Sequence, residues 1–474
     1  MISWRSSIQR ASRDPIVLLI GLIIPSLGFA QTKIQARAAD QFVNSMGINV
    51  HMESPAWPYN QYSEINKKLR ELGMRHFRDE INDTDLDFVG ELHQIGKLGY
   101  SLCGLIEGGN DYPLPGTNLE AGKVAPMIQN LLPTIEAVEG PNEPDDPSDP
   151  PFQYGLDYLH YPQGAINESE NLWSIVKGDS QISGLPLLAM SEGNAPNFEK
   201  LAELVKLKQI PPPVDYTTYG NMHAYQGGGV GDSGLDGYIH LSEDWTGSER
   251  LWTTEMGYHN NTSYLINGEQ QGVSQRASAI YLPIAFLSGF DKGVIQTFSY
   301  ELIDENPDPP PECSGELSCS GEGYYGLLHY DFTPKPAYTA LRNLTELLRD
   351  SGSILTPGSL TIKFSRAPQT MRYTLLQKSS GAYYLALWND VSVYQLATQN
   401  ASGETVPGKD IYPRSVAMTV TFSGEEAVTV YAPNDASGVQ PTDAYTISKT
   451  PDSIDLNLPA KVLLIKVVDE NPGP

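Results

Sequence analysis

Ala137-Val138-Glu139-Gly140-Pro141-Asn142-Glu143-Pro144-Asp145 passes from an apolar run into a turn. Ala137–Gly140 reads as a short buried strand, because the run is brief and Gly140-Pro141 breaks it. The polar residues that follow therefore stand just past a strand's C-terminal end. Leu251-Trp252-Thr253-Thr254-Glu255-Met256-Gly257 is built the same way. Each stretch leaves a glutamate at the upper end of a strand, although the two are far apart along the chain.

Outward from these two, the same unit recurs. Apolar runs predict strands over Met46–Val50, Met74–Arg78, Ser101–Ile106, Leu187–Ser191, Tyr216–His223 and Gly293–Phe298. Between them lie stretches of helical periodicity. These are Ser63–Leu72, Asp85–Leu98, Phe198–Lys206, Ser274–Ser288 and Pro336–Leu348. Strands that alternate with helices predict a parallel sheet with crossovers. Eight such units in about 300 residues predict an α/β fold, a (β/α)₈ TIM barrel over residues 40–352. From residue 353 to 474 the texture changes to Gly, Ser, Thr and Pro between alternating runs. Arg372–Gln377, Ala382–Leu387, Ala417–Phe422, Ala427–Tyr431 and Val462–Val467 predict an antiparallel β-sandwich whose first strand begins near Ser359.

The 474 residues suffice for these two domains, and 40% apolar residues allow a sizeable core. A net charge of −26 repels phosphate backbones and anionic lipid, which excludes nucleic-acid partners. Arg5, Arg10 and Arg13 precede an apolar run, Ile16–Leu27, and Gly28-Phe29-Ala30 offers a small-x-small cleavage site. Residues 1–30 are therefore expected to be a signal peptide, with an uncleaved anchor as the rival, and the protein to be secreted, periplasmic or on the cell surface. A monomer is expected. Of the three cysteines, Cys103 lies in an apolar run, while Cys313 and Cys319 flank an acidic loop and can pair in an oxidising compartment. With no CxxC pair, no zinc site or other cofactor is expected. Asp304, Glu305 and Asp308 have no defensible calcium-loop spacing.

In a TIM barrel the loops converge at the C-terminal ends of the strands, so polar residues there share one mouth. Glu143 and Glu255 would face each other across it. Two opposed carboxyl groups are what glycoside hydrolysis needs: one protonates the departing oxygen and the other attacks the anomeric carbon.

Asn142-Glu143-Pro144 on strand four, with Thr254-Glu255 on strand seven, resembles the clan A retaining glycoside hydrolases. The resemblance covers most of Met46–Leu348, and the sandwich is similar to the accessory domain of clan members such as family 39. It implies Glu143 as acid/base, Glu255 as nucleophile and a carbohydrate substrate. It implies that Asn142 binds the hydroxyl beside the anomeric carbon. His223 or Tyr225, from His223-Ala224-Tyr225, would tune the nucleophile. Arg78 would support it electrostatically, with Arg75 paired outside. His51 and Glu107 end strands one and three and would face the pocket. Clan members carry a tryptophan after strand eight. Here Gln296-Thr297-Phe298-Ser299-Tyr300 offers Phe298 or Tyr300 in its place. Trp57 and Tyr59 are further stacking platforms, and Trp252 is expected in the core.

Gly231-Asp232-Ser233-Gly234 resembles a serine-protease fragment but lies outside any matching strand pattern. Two other readings stay open: an inactive carbohydrate-binding surface protein, and a transglycosylase on the same scaffold.

Overall fold

The computed structural model describes residues 31–81, 86–106, 121–145, 162–193, 195–262, 270–307, 321–352, 356–400, 405–424, 426–450 and 452–469. The expected signal peptide, Glu107, Asp308, Cys313 and Cys319 lie outside these residues.

Two short strands come first, β1 (Thr32–Gln35) and β2 (Arg37–Ala38). The apolar runs then form β3 (Met46–Asn49), β4 (His76–Glu80), β5 (Ser101–Leu105), β6 (Ile135–Glu139), β7 (Gly220–His223), β8 (Leu251–Met256) and β9 (Gln296–Ser299). They make one parallel sheet in the order β6-β5-β4-β3-β9-β8-β7. The expected fifth strand, Leu187–Ser191, closes the circle through isolated parallel bridges, Val138 to Leu187 and Asn142 to Ser191 on one side and Leu188 to Tyr219 on the other. The barrel is thus complete, with its narrowest pairing between β6 and β7.

Helices α1 (Ala39–Asn44), α2 (Tyr62–Leu72), α3 (Leu86–Lys97), α4 (Ala121–Asn130), α5 (Gln163–Gly178), α6 (Ala195–Lys206), α7 (Leu235–Thr246), α8 (Gln275–Asp291) and α9 (Pro336–Leu348) accompany the strands. Ser274 caps α8 by accepting from the Ala277 amide at 3.1 Å. Helix α8 is apolar on every side and buried from Ala277 to Phe290. Such a helix needs cover all round. Barrel strands lie on one side, and the chain of the C-terminal domain supplies the other through Asn434, which donates to the Ala279 carbonyl. Among the described residues no helix is long and apolar enough to cross a membrane.

Cys103, Ala137, Leu188, Trp252 and Phe298 fill the barrel interior. Trp252 was expected there. Phe298 was not: it has no exposed surface and stacks on Trp252 with ring centroids 6.0 Å apart, so it is not a sugar platform. Phe298 fits because β3 presents a glycine to it. A Cβ on Gly47 would stand 2.4 Å from Phe298 Cδ1. Gly47→Ala should therefore overpack the barrel and cost about 1–3 kcal/mol, read by urea denaturation. A neutral result would show that the ring has room to move.

The protease-like fragment is structural. A Cβ on Gly231 would meet the Tyr281 carbonyl oxygen at 2.4 Å and the Ala285 amide at 2.5 Å, so only glycine lets this turn lie on α8. Gly234 adopts φ +75° and leads into α7.

The C-terminal strands are β10 (Ser359–Ser365), β11 (Met371–Gln377), β12 (Tyr383–Asn389), β13 (Tyr394–Gln395), β14 (Thr398–Gln399), β15 (Thr405–Val406) and β16 (Lys409–Asp410). They continue with β17 (Val416–Phe422), β18 (Glu426–Tyr431), β19 (Thr446–Thr450), β20 (Ser453–Leu458) and β21 (Leu463–Asp469). Two five-stranded sheets, β1-β10-β17-β20-β19 and β18-β21-β12-β11-β2, enclose a core that includes Ile362, Leu385, Val420 and Ile465. The sandwich therefore draws on both ends of the chain. Residues 32–38 add one edge strand to each sheet, which the boundaries 40–352 and 353–474 leave out. Their two-to-four-residue runs are too short to show a period.

Candidate active site

The inward polar residues of the barrel strands converge on Arg78. Its Nη1 donates to Glu255 Oε1 at 2.7 Å and to Asn49 Oδ1 at 2.9 Å. Its Nε and Nη2 grip both oxygens of Glu139 at 2.7 and 3.2 Å. Nη2 also donates to Asn142 Oδ1 at 2.8 Å. Only a planar guanidinium spreads donors over five acceptor oxygens of four residues held this rigidly. Arg75, just before β4, pairs instead with Asp40 at 2.6 Å.

Glu139 is fully buried and forms the floor. Besides Arg78 it accepts from Asn221 Nδ2 and Thr254 Oγ1, each at 2.8 Å. Asn49, Glu139 and Asn221 were given no role from sequence. Their signal was available, since each is a polar residue inside an apolar strand. Burying such a group requires partners.

Glu255, on β8, is held from two sides. Tyr225 donates its hydroxyl to Oε2 at 2.7 Å, opposite Arg78 on Oε1. Burial alone would raise the carboxyl's pKa. The positive charges of His223 and Arg78 and the Tyr225 hydrogen bond outweigh it, so Glu255 lies below the ordinary glutamate value.

Glu143 differs. Burial pushes it above the ordinary value and the charge of Glu255 adds to that, against the opposing pull of His223. Its Oε1 meets His223 Nδ1 at 2.5 Å, while His223 Nε2 faces Thr254 Oγ1 at 3.1 Å. Thr254 has two acceptors for its own proton, Glu139 Oε1 at 2.8 Å and Asn221 Oδ1 at 3.0 Å, so its oxygen is open to a proton from Nε2. One oxygen each of Glu143 and Glu255 and a nitrogen of His223 all lie within 4.8 Å of one another.

Glu143 also has φ 37°, in the left-handed region. A non-glycine residue there costs on the order of 1–3 kcal/mol and persists only where its surroundings hold it. Its carboxyl lies over Gly193, where a Cβ would stand 2.8 Å from Oε2. Asp145 clamps that loop by accepting from the Gly193 amide at 2.8 Å and from Asn197 at 2.6 Å. Sequence reasoning missed Gly193, Asp145 and Asn197, whose meeting depends on two loops from different strands.

The opposite wall is aromatic and acidic. Tyr325 contacts the rings of Tyr225 and Tyr300, at centroid distances of 5.7 and 5.5 Å. The Tyr300 hydroxyl lies 3.1 Å from His51 Nε2 and hydrogen-bonds Glu322. The peptide between Tyr300 and Glu301 is cis. Tyr325 and Glu322 lie on a loop that carries no periodic signal. His51 and Tyr300 thus share the mouth with Glu255. Tyr59 does not serve as an open platform, because it is buried and its hydroxyl is committed to Glu301 at 2.6 Å. Trp57 is 46% exposed and packs on Tyr330 and Phe332, outside this wall.

Solved structures share this architecture. A monomeric β-xylosidase from Caulobacter crescentus superposes with TM-score 0.55 at 13% identity, covering 92% of this chain and 98% of that one. A family 39 glycoside hydrolase from Bacteroides cellulosilyticus WH2 gives 0.53 at 16% identity, over 91% and 82%. A glucosidase from Croceicoccus marinus gives 0.54 at 10% identity, over 93% and 97%. The fold is family 39-like. The sequence itself matches no protein-family model and no curated protein. At these identities the likeness extends to both domains of the family 39-like fold, and the chemistry must be argued from the site.

Proposed function

We propose that the protein is a glycoside hydrolase that acts with retention through a covalent glycosyl-enzyme. The observation that carries this is the Glu143–Glu255 pair, with oxygens within 4.8 Å and pKa values pushed in opposite directions. A retaining pair stands about 5–5.5 Å apart, whereas an inverting pair leaves room for a water at about 6.5–9.5 Å. Glu255, ionised, attacks the anomeric carbon. Glu143 gives its proton to the glycosidic oxygen as that bond breaks. Esterification removes the charge of Glu255, which eases the next deprotonation of Glu143, so Glu143 takes a proton from the attacking water. A carbohydrate-binding scaffold would have no use for carboxyls poised in opposite ionisation states.

The test is a panel of aryl glycosides, beginning with xylosides and glucosides because neighbours of the same fold are named for them, followed by trapping with the matching 2-fluoro sugar. A mass adduct on the peptide holding Glu255 is expected. An inverted product by NMR would overturn retention. We also propose export through residues 1–30, checked by N-terminal sequencing of the mature protein.

The pH profile follows from the two shifts. Glu255 must be ionised, so activity falls as pH drops through its depressed value. Glu143 must be protonated, so activity falls as pH rises through its elevated value. Glu143→Ala should lose the alkaline limb on a dinitrophenyl glycoside and slow natural glycans most. Azide should then restore turnover with retained configuration. Near-native activity of this variant on natural glycans would refute the assignment.

A further inference from the structure

We propose that His51, Glu301 and Glu305 form a binding site for a divalent cation of the manganese–zinc kind, beside the carboxylate pair. One donor atom from each of the three lies within 4.8 Å of the others. His51 Nε2 stands 3.6 Å from Glu301 Oε2. Three such atoms need only small rotamer adjustments to meet one ion at about 2.0–2.2 Å. A second observation is independent of the clustering. Glu301 is fully buried, and its Oε1 has no hydrogen-bond partner. A buried carboxylate oxygen left unpaired is costly, and a cation removes that cost.

The surroundings fit. The other ring nitrogen of His51 faces Glu53 Oε1 at 3.6 Å, the carboxylate–histidine arrangement that orients metal-bound imidazoles. Tyr59 fixes the other oxygen of Glu301. Asp304 is not part of the set, because Lys335 holds it at 2.7 Å. One imidazole with two carboxylates suits manganese or zinc better than calcium, which prefers an all-oxygen shell. Three protein ligands leave positions that vicinal hydroxyls of a bound glycan can fill. That last step rests on the glycosidase reading, whereas ion binding does not.

Untagged full-length protein, stripped with EDTA, is dialysed against Mn²⁺ or Zn²⁺ and the bound metal is counted by mass spectrometry and, for Mn²⁺, by EPR. One ion per chain is expected. Glu305→Gln, at an exposed position that does not threaten folding, and Glu301→Gln should each weaken binding at least about 10-fold. Glu255→Gln should keep the ion. No stoichiometric ion on the native protein would overturn the proposal. So would an ion lost in Glu255→Gln but kept in the other two, since it would then sit between the catalytic carboxyls. Because binding is read without substrate, its failure leaves the glycosidase reading standing, and an inactive protein that binds the ion leaves the site standing.

Discussion

Glu255→Gln is expected to lower kcat/KM by at least about 10⁴-fold, the scale seen when the nucleophile of a covalent mechanism is removed. The argument starts from the fold. Glu255 is carried by β8, is 6% exposed and has both oxygens engaged, by Arg78 and by Tyr225. Glutamine keeps the volume and one acceptor oxygen, so the barrel should survive with a modest loss. What it lacks is the charge and the lone pair that attacks the anomeric carbon. Azide, small enough to enter from the sugar's opposite face in Glu255→Ala, should restore part of the turnover and give the inverted glycosyl azide. Steady-state kinetics with a dinitrophenyl glycoside and NMR of the azide product check both. A Glu255→Gln enzyme within tenfold of native would remove Glu255 from the chemistry.

Much of this scaffold was legible before any coordinate. Alternating strand and helix runs place the barrel, and Pro336–Leu348 is the observed α9, with proline at its first position where it costs no hydrogen bond. The two glutamates were visible because Glu143 follows a strand that ends in a recognisable break and Glu255 stands just before one. Strand eight shows the limit. Phe298 and Tyr300 lie two apart and so share a face of β9 and its extension, which the pattern allows one to see. Which layer each occupies depends on the stagger between strands, and that places Phe298 under Gly47 and Tyr300 at the mouth. The same holds for the floor. Glu139, Asn221 and Asn49 are each conspicuous as polar residues in apolar runs, yet that Glu139 and Asn49 share one arginine, with Asn221 joined to it through Glu139, depends on which strands are neighbours. The Asp145–Gly193–Asn197 clamp and Tyr325 come from loops, where no period reports what a residue will touch.

That shared arginine leads to the largest expected effect on stability. Arg78→Met should cost about 3–5 kcal/mol, the usual result of removing one partner from a buried ion pair. Arg78 is 4% exposed, and it stands between Glu139, which has no exposed surface, and Glu255. Methionine fills much of the stem's volume but leaves Glu139 with only the Asn221 amide and the Thr254 hydroxyl, and Glu255 with only Tyr225 and His223. Without the guanidinium, less opposes the effect of burial, which raises the Glu255 carboxyl. The penalty is therefore largest at pH values where Glu255 is ionised in both proteins and shrinks as pH falls through the range in which it takes up a proton. Urea denaturation at pH 7 and pH 4 should show the deficit shrinking in acid, a trend that simple loss of packing would not produce. Adding Glu139→Gln to Arg78→Met should recover part of the loss at pH 7, because one of the stranded charges is gone. A deficit under about 1 kcal/mol at pH 7, of the size of an exposed pair, would mean that water reaches the floor of the barrel. The acid limb of the activity profile should move in step, to higher pH, since without the guanidinium Glu255 is harder to ionise.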